Sequence, residues 1–314
     1  MNNSAVLVDA CCDIPRSFLE NHQIEVLPNY ISSIKRHYTD TKDPREALEF
    51  YSDTHRNGEK MMPSGVSKDF YAALLKNKLA PEFDSTLVIT SDQTFSENYR
   101  IIKETGILNK EKIAAIRKQA GLDPSFKIKV IDSTSVAAGE GLLLHEAIRL
   151  IKEKAIPLDD LGPLLEQTRS QLKTFFAIQH PNFFKQSDVM KSVDSEKKYF
   201  GKLDYQLSKI LGHRPVVSLV NGQYELTEKE KSFDDAVRNI TDQVRQAIDD
   251  GLSKSIINIS YAGHLAELRA NSHIKQLGHF AHENDIRILM SVMGISVAAH
   301  FGPQSLSVSF TTEE

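Results

Sequence analysis

The residues whose types and spacing can do chemistry gather where short apolar runs end. The run Thr86–Thr90 (TLVIT) leads into Ser91, Asp92, Gln93, Thr94, Phe95 and Ser96. Hydroxyls beside the free N–H groups of a helix start make a site for an anion or a carboxylate. Capping by Ser96 and an Asp92 turn use the same residues with no ligand, and the spacing leaves both readings open. The stretch Val130–Gly141 (VIDSTSVAAGEG) is an apolar run ending in Asp132-Ser133, then a helix start with Gly139 and Gly141. Its glycines would let backbone approach a ligand closely, or let the helix pack tightly on a sheet. The third glycine of a dinucleotide fingerprint is missing. Met61-Met62-Pro63-Ser64-Gly65 offers one hydroxyl and two adaptable side chains suited to an apolar channel; a Pro–Gly turn accounts for it as well. His300-Phe301-Gly302-Pro303 places a histidine between two apolar runs, where it can donate a hydrogen bond, exchange a proton or bind a ligand. No local Asp or Ser makes His300 a triad base. Cys11-Cys12 invites a nucleophile reading, which requires a base, a cation or a helix start to lower a thiol pKa.

These segments must be positioned by regular elements. Ala5–Asp9, Thr86–Thr90 and Lys127–Ile131 read as buried strands, with Glu25–Ser33 a weaker one. Helices are expected at Pro44–Thr54, where Asp43 caps and Pro44 opens, and from Ser67. Others are expected from Ser96 through Ile102, at Lys110–Gln119 and at Val136–Lys154. Strand–helix alternation with β-branched runs predicts a mostly parallel sheet covered by helices. Functional loops then lie at the carboxyl ends of the strands, at Ala10–Pro15, Ser91–Asn98 and Asp132–Gly141. The second half differs. Charged helices fit Leu158–Lys173 and Lys197–Leu211. PVVSLVNGQYEL reads as a hairpin turning at Asn221-Gly222. A helix over Phe233–Asp249, a strand Ser255–Ser260 and a helix Ala262–Glu283 follow. Strands Ile286–Met293 and Leu306–Phe310 flank a loop holding His300. The expected fold is α/β in two domains, 1–156 and 157–314, the second a mixed α/β layer, with the ligand between them.

Composition narrows the function classes. The chain has 314 residues, a net charge of −4 and 25% charged residues of mixed sign. No basic face for nucleic acid and no polybasic block for anionic membrane emerges. The N-terminal stretch MNNSAVLVDACCDIP lacks the pattern of a secretory signal. No apolar run reaches the ~18 residues of a transmembrane helix. The only two cysteines are adjacent; two reduced thiols in a cytoplasmic protein is the simple reading. No Cys/His spacing marks a metal site, and no cofactor is implied.

Taken in order, the motifs resemble the DegV family over nearly the whole chain. The family's D-S-x-x-D-[LI]-P turn corresponds to Asp9–Pro15, its T-S-Q-P-S-type turn to Lys60–Ser64, and its S-S-x-x-S-G-T-Y segment to Thr90-Ser91 and Ser96–Tyr99. V-x-D-S…G-x-G corresponds to Val130–Gly141, L-x-x-x-P-x-x-x-x-x-x-G to Leu211–Gly222, and the closing H-x-G-P to His300–Pro303. The resemblance implies two α/β domains with a long-chain fatty acid in a buried tunnel. It also implies a carboxylate held by the hydroxyl loops and the closing histidine, which maps the head-group site onto Lys60, Ser64, Thr90, Ser91, Ser96 and His300. Some members present the fatty acid to a separate ATP-dependent kinase that phosphorylates the carboxylate. The chain departs from the pattern at Ala10, Lys60, Met61, Glu97 and Gln304, and its loop after Thr90 is about two residues longer.

Two function classes result. One is a lipid carrier without chemistry of its own. Each buried CH₂ is worth ~0.8 kcal/mol, so a long acyl chain supplies roughly 10 kcal/mol, against ~1.5–3 kcal/mol for a hydrogen bond to a carboxylate. The other is an enzyme using Cys12 or His300 on a small acidic metabolite, which leaves a long apolar tunnel without a role.

Overall fold

The computed structural model describes residues 3–33, 36–57, 61–186 and 212–313. Strands β1 (Ser4–Asp9), β2 (Glu25–Leu27), β6 (Ser85–Thr90) and β7 (Lys127–Asp132) form an all-parallel sheet in the order β2-β1-β6-β7. Such a sheet is stable only when covered on both faces, and the side-chain alternation supplies both. Val6, Val8, Leu87 and Ile89 face one apolar cluster, with Leu19 of α1 (Arg16–Asn21) and Leu142, Leu143 and Ile148 of α7 (Ala138–Lys152). Ala5, Leu7 and Val88 face another, with Tyr71 of α3 (Lys68–Leu74) and Ile101 and Ile102 of α5 (Asn98–Leu108). Every residue of β6 is buried, and each large apolar side chain removed from water contributes about 1.5–3 kcal/mol.

The remaining first-half elements are α2 (Pro44–Asn57), a π-helical turn at Leu75–Leu79, α4 (Ala80–Glu82), α6 (Lys110–Gln119) and a three-stranded antiparallel sheet, β4-β3-β5. Its strands are β3 (Asn29–Ser32), β4 (His37–Asp40) and β5 (Met62–Ser64). The single strand expected at Glu25–Ser33 thus splits at Pro28, and its halves enter different sheets. The Met61–Gly65 turn contains strand β5, where Pro63 sits on a sheet edge and its missing N–H breaks no ladder.

The second sheet has six strands in the order β10-β9-β8-β13-β11-β12, antiparallel except for β11 with β12. They are β8 (Leu172–Ala177), β9 (Arg214–Val220), β10 (Gln223–Glu230), β11 (Ile256–Tyr261), β12 (Arg287–Val292) and β13 (Leu306–Thr311). The hairpin turn at Asn221-Gly222 has positive φ at both central residues, 49° and 72°, as a tight two-residue turn between twisted strands requires. Helices α8 (Leu161–Ser170), α9 (Pro181–Gln186), α10 (Phe233–Asp250), α11 (Leu265–Ala270), α12 (Ser272–Glu283) and α13 (Ile295–Phe301) complete this half. α10 and α12 cover one face through Val237, Ile240, Val244, Ile274 and Leu277.

Three expectations change here. The helix drawn to Lys173 stops at Ser170, and LKTFFA forms the buried strand β8. The helix Ala262–Glu283 is two helices, because Asn271 accepts hydrogen bonds from the His273 and Ile274 N–H groups and starts a new one. The loop carrying His300 contains the short helix α13. The helix expected at Lys197–Leu211 lies outside the described residues.

α7 lies between the two sheets. It touches β6 of the parallel sheet and β8, β11 and β13 of the mixed one. Small residues make this possible. A Cβ at Gly139 would run into Ser135 and Thr174, and one at Gly141 into the Asp13 carbonyl and Asn258. The glycine pair of the sequence motif is therefore a packing device.

Candidate functional site

Beyond the carboxyl ends of β1 and β6 lies a cleft of about 560 Å³, within the usual range of small-ligand sites. Both halves of the chain build it. Ser64 comes from β5, Phe95 and Ser96 from the loop after β6, and Ser296 and His300 from α13. Cys11 and Asn29 form its floor, while Gln93, Thr94 and Glu97 line the exposed rim. Among the described residues lining the cleft none is Lys or Arg, and Glu97 is the one acid.

The floor is organised by Asp9, fully buried at the end of β1. Its Oδ1 accepts the Cys11 N–H at 2.8 Å. Its Oδ2 accepts the Ser91 N–H, the Ser91 hydroxyl and the Asn98 side-chain amide, each at 2.8 Å. Asn98 also donates to Asn29 Oδ1 at 3.1 Å and accepts the Val66 N–H at 2.8 Å. Asn29 in turn donates to Cys11 Sγ at 3.3 Å. The direction of the next bond follows. Ser91 has given its single hydroxyl proton to Asp9, so in the 2.7 Å contact between Ser91 and Ser96 the donor is Ser96.

The structure brings Ser64, Ser96 and His300 to one cleft. Ser64 is exposed and donates to the Tyr30 carbonyl at 3.1 Å. His300 is buried, and its ring meets Phe95 edge-on with centroids 4.6 Å apart, so α13 and the hydroxyl loop touch although far apart in sequence. Thr90 and Ser91 stand behind the cleft. Thr90 is fully buried in β6 and Ser91 is held by Asp9. Lys60 lies outside the described residues. Ser96 does not stand at the cap position of α5, although its Oγ accepts the Asn98 N–H at 3.3 Å. Sequence reasoning gave no site role to Asp9, Asn29 or Ser296, considered Cys11 only as a nucleophile, and reached Asn98 only as the end of a functional loop. Asp9 and Asn98 fall inside motifs that were recognised, and that was the available signal.

α13 is held in place by buried charge. Asp13 Oδ1 accepts the Gly294 N–H at 2.8 Å and pairs with Lys42, while Oδ2 accepts the Ser260 hydroxyl. Asp40 Oδ2 accepts the Ser296 N–H at 2.7 Å. Burial alone would lower the Lys42 pKa, but Asp13 and Asp40 outweigh it and raise it. Asp92 is pushed up to about 6, chiefly by burial and against the hydrogen bonds from Thr94. Both thiols are free and buried. Burial pushes each well above its usual pKa, helped by Asp9 at Cys11 and by Glu140 at Cys12. Cys12 packs in an apolar cluster away from the cleft, so neither the thiolate nor the access that a nucleophile needs is provided.

Behind Phe95 lies an apolar cluster built from the mixed sheet, α2, α9, α13 and Ile31 of β3. It includes Phe50, Phe176, Phe184, Val217, Leu219 and Phe301. A larger depression of about 740 Å³ at the far end of the mixed sheet, between Phe175, Gln246 and Phe310, contains none of the residues singled out by the sequence. No helix among the described residues is long and apolar enough to cross a membrane.

Comparison with known proteins agrees with this architecture. A family model described as "Uncharacterised protein, DegV family" matches residues 3–313. The chain belongs to the DegV family. A DegV domain-containing protein of Xanthomonas axonopodis pv. citri is 24% identical over 309 residues, covering 98% of this chain and 97% of that protein. The fatty acid-binding protein of Thermotoga maritima is 22% identical over 300 residues, 95% and 94% of the two chains. Among solved structures, a stearic acid-binding protein from Eubacterium ventriosum superposes with a TM-score of 0.77 at 18% identity, covering 98% of both chains.

Proposed function

We propose that this chain binds a long-chain fatty acid, with the carboxylate in the cleft at Ser96, Ser64 and His300 and the acyl chain in the apolar region behind Phe95. The observation that carries the reading is the junction of a polar cleft with an apolar cluster at Phe95. The named relatives that bind fatty acids support it. Energetically the chain dominates, at ~0.8 kcal/mol per buried CH₂, and the cleft orients. Among the described lining residues, neutral donors and the histidine face the head group. A carboxylate accepts and does not donate, so Ser96 must turn its proton from Ser91 to the ligand. The rim at Gln93, Thr94 and Glu97 is exposed, which leaves a bound carboxylate within reach of a second protein. The same reading therefore extends to presentation to a separate ATP-dependent kinase.

The test uses delipidated protein and compares a fatty acid with the fatty alcohol of equal length, by calorimetry, in wild type and His300→Ala. The wild type should bind the acid. The variant should lose about 1.5–3 kcal/mol for the acid, one charged hydrogen bond, and clearly less for the alcohol. No binding of either by wild type ends the carrier reading; equal losses assign His300 to packing.

A further inference from the structure

We infer that the Phe95 side chain is the movable partition between the polar cleft and the apolar interior, and so controls passage of an acyl chain. The inference rests on the fatty-acid reading above and deepens it. The ring belongs to both compartments. On one side it lines the cleft with Ser96 and His300, and the His300 ring meets it at 4.6 Å and 60°. On the other side it is part of the interior cluster, nearly parallel to Phe301 at 9° with centroids 6.3 Å apart. Phe301 stacks on Phe176 at 4.2 Å and lies 5.3 Å from Phe184. A molecule with its polar end at Ser96 and His300 and its apolar end among these rings must cross the place where Phe95 stands.

The backbone around Phe95 is pinned, so the ring and not the loop is the moving part. The Thr94 N–H donates to Asp92 Oδ1 at 2.9 Å. The Phe95 and Ser96 N–H groups both donate to the Asp92 carbonyl at 3.0 Å. Ser91, at the loop's base, is tied to Asp9 through backbone and side chain. With these bonds kept, Phe95 changes position by stepping between staggered side-chain rotamers. Phe301 is a poorer candidate for the same task. It is fully buried on α13 and in contact with Phe95, Phe176 and Phe184, so moving it disturbs more packing. Phe95 retains 7% exposure and projects from a loop. Closed, its ring keeps water out of the aromatic cluster; rotated, it opens that cluster to the cleft.

The test is stopped-flow exchange with a named probe. cis-Parinaric acid, a fluorescent fatty acid, is loaded onto delipidated protein and displaced by excess oleate; association is followed separately. In Phe95→Ala both release and association should rise by roughly two- to tenfold, the scale of one lost aromatic packing partner. The equilibrium affinity should shift less than either rate, because both directions cross the same partition. Phe95→Trp should slow both. Unchanged rates in both variants, with binding intact, overturn the inference. Faster release with unchanged association also overturns it, since Phe95 is then an ordinary ligand contact. Should Phe95→Ala fail to fold, Phe95→Leu carries the test, with the same direction and a smaller effect. A wild type that binds no parinarate instead removes the fatty-acid reading, and this inference with it.

Discussion

Glu140 sits on the first turn of α7, fully buried, and neither carboxylate oxygen has a hydrogen-bond partner among the described residues. Burial, then the nearby Asp9, pushes its pKa well above the ordinary 4.5. The folded protein therefore holds a proton that the unfolded chain releases once the pH passes that ordinary value. Stability falls as pH rises from there until the folded-state pKa is reached, by up to ~1.4 kcal/mol per pH unit. Glu140→Gln keeps the shape and removes the titration. Its thermal melts should match or exceed wild type near pH 4, and the advantage should widen toward pH 8. Parallel pH dependence in the two proteins would show that the Glu140 carboxyl is solvated. At this scale the sequence was only half readable. Ser64, Ser96 and His300 could be named from their motifs, because a motif marks position. Thr90 and Ser91 could not be separated from them, because what turns each hydroxyl away from the cleft is a distant partner, the Ile131 carbonyl for Thr90 and Asp9, 82 positions away, for Ser91.

At the scale of elements, α7 tests whether helix propensity or packing decides. Ala is favoured over Gly inside a helix by about 1 kcal/mol. At Gly278, inside α12, a Cβ would meet nothing within 4 Å, and Gly278→Ala should stabilise by about 0.5–1 kcal/mol. At Gly141 the same change drives a methyl group into the Asp13 carbonyl and Asn258. Gly141→Ala should destabilise by about 1–3 kcal/mol, despite the better propensity. Denaturant melts of both variants check the pair; a stabilising Gly141→Ala would contradict the close approach of α7 to β11. The regular strands and long helices were legible because periodicity reports which faces are buried. β8 was not, since a charged helical pattern runs straight into its Leu172–Ala177 stretch and both states bury such residues. α13 was not, since Ile295, Ser296 and Val297 have weak helix propensity and their turn is fixed by Asp13 and Asp40 from the other half of the chain.

At the scale of the molecule, the buried pair of Lys42 and Asp13 joins the halves. Asp13 stands beside the parallel sheet, and it binds Ser260 of β11 and Gly294 ahead of α13. Removing one partner of such a pair leaves an uncompensated charge, at a cost of about 3–5 kcal/mol. Lys42→Met should lower stability by that amount at neutral pH, read by urea denaturation with probes in both halves. A loss below about 1 kcal/mol, the value of an exposed pair, would mean that water reaches Asp13. The α/β character and the parallel first sheet could be read from the alternation of elements. The joint could not, because an Asp in a turn and a Lys after a strand look like solvated surface residues until it is known that Lys42 pairs with Asp13 and that Asp13 reaches Ser260 and Gly294, over two hundred positions away.

The strand order of the mixed sheet also bears on how the chain is assembled during synthesis. β13 occupies the middle, between β8 and β11, yet it follows every other strand in sequence. A nascent chain that has emerged as far as Gly302 can pair β8 with β9 and β10, and β11 with β12, but has nothing to join the two pieces. Both would present a bare inner edge, the kind of surface that invites pairing with another chain. The parallel first sheet, complete once β7 has emerged, carries no such delay. Vectorial synthesis therefore leaves this protein most exposed to misassembly in the interval just before β13 emerges, the same interval in which α13 brings His300 to the cleft.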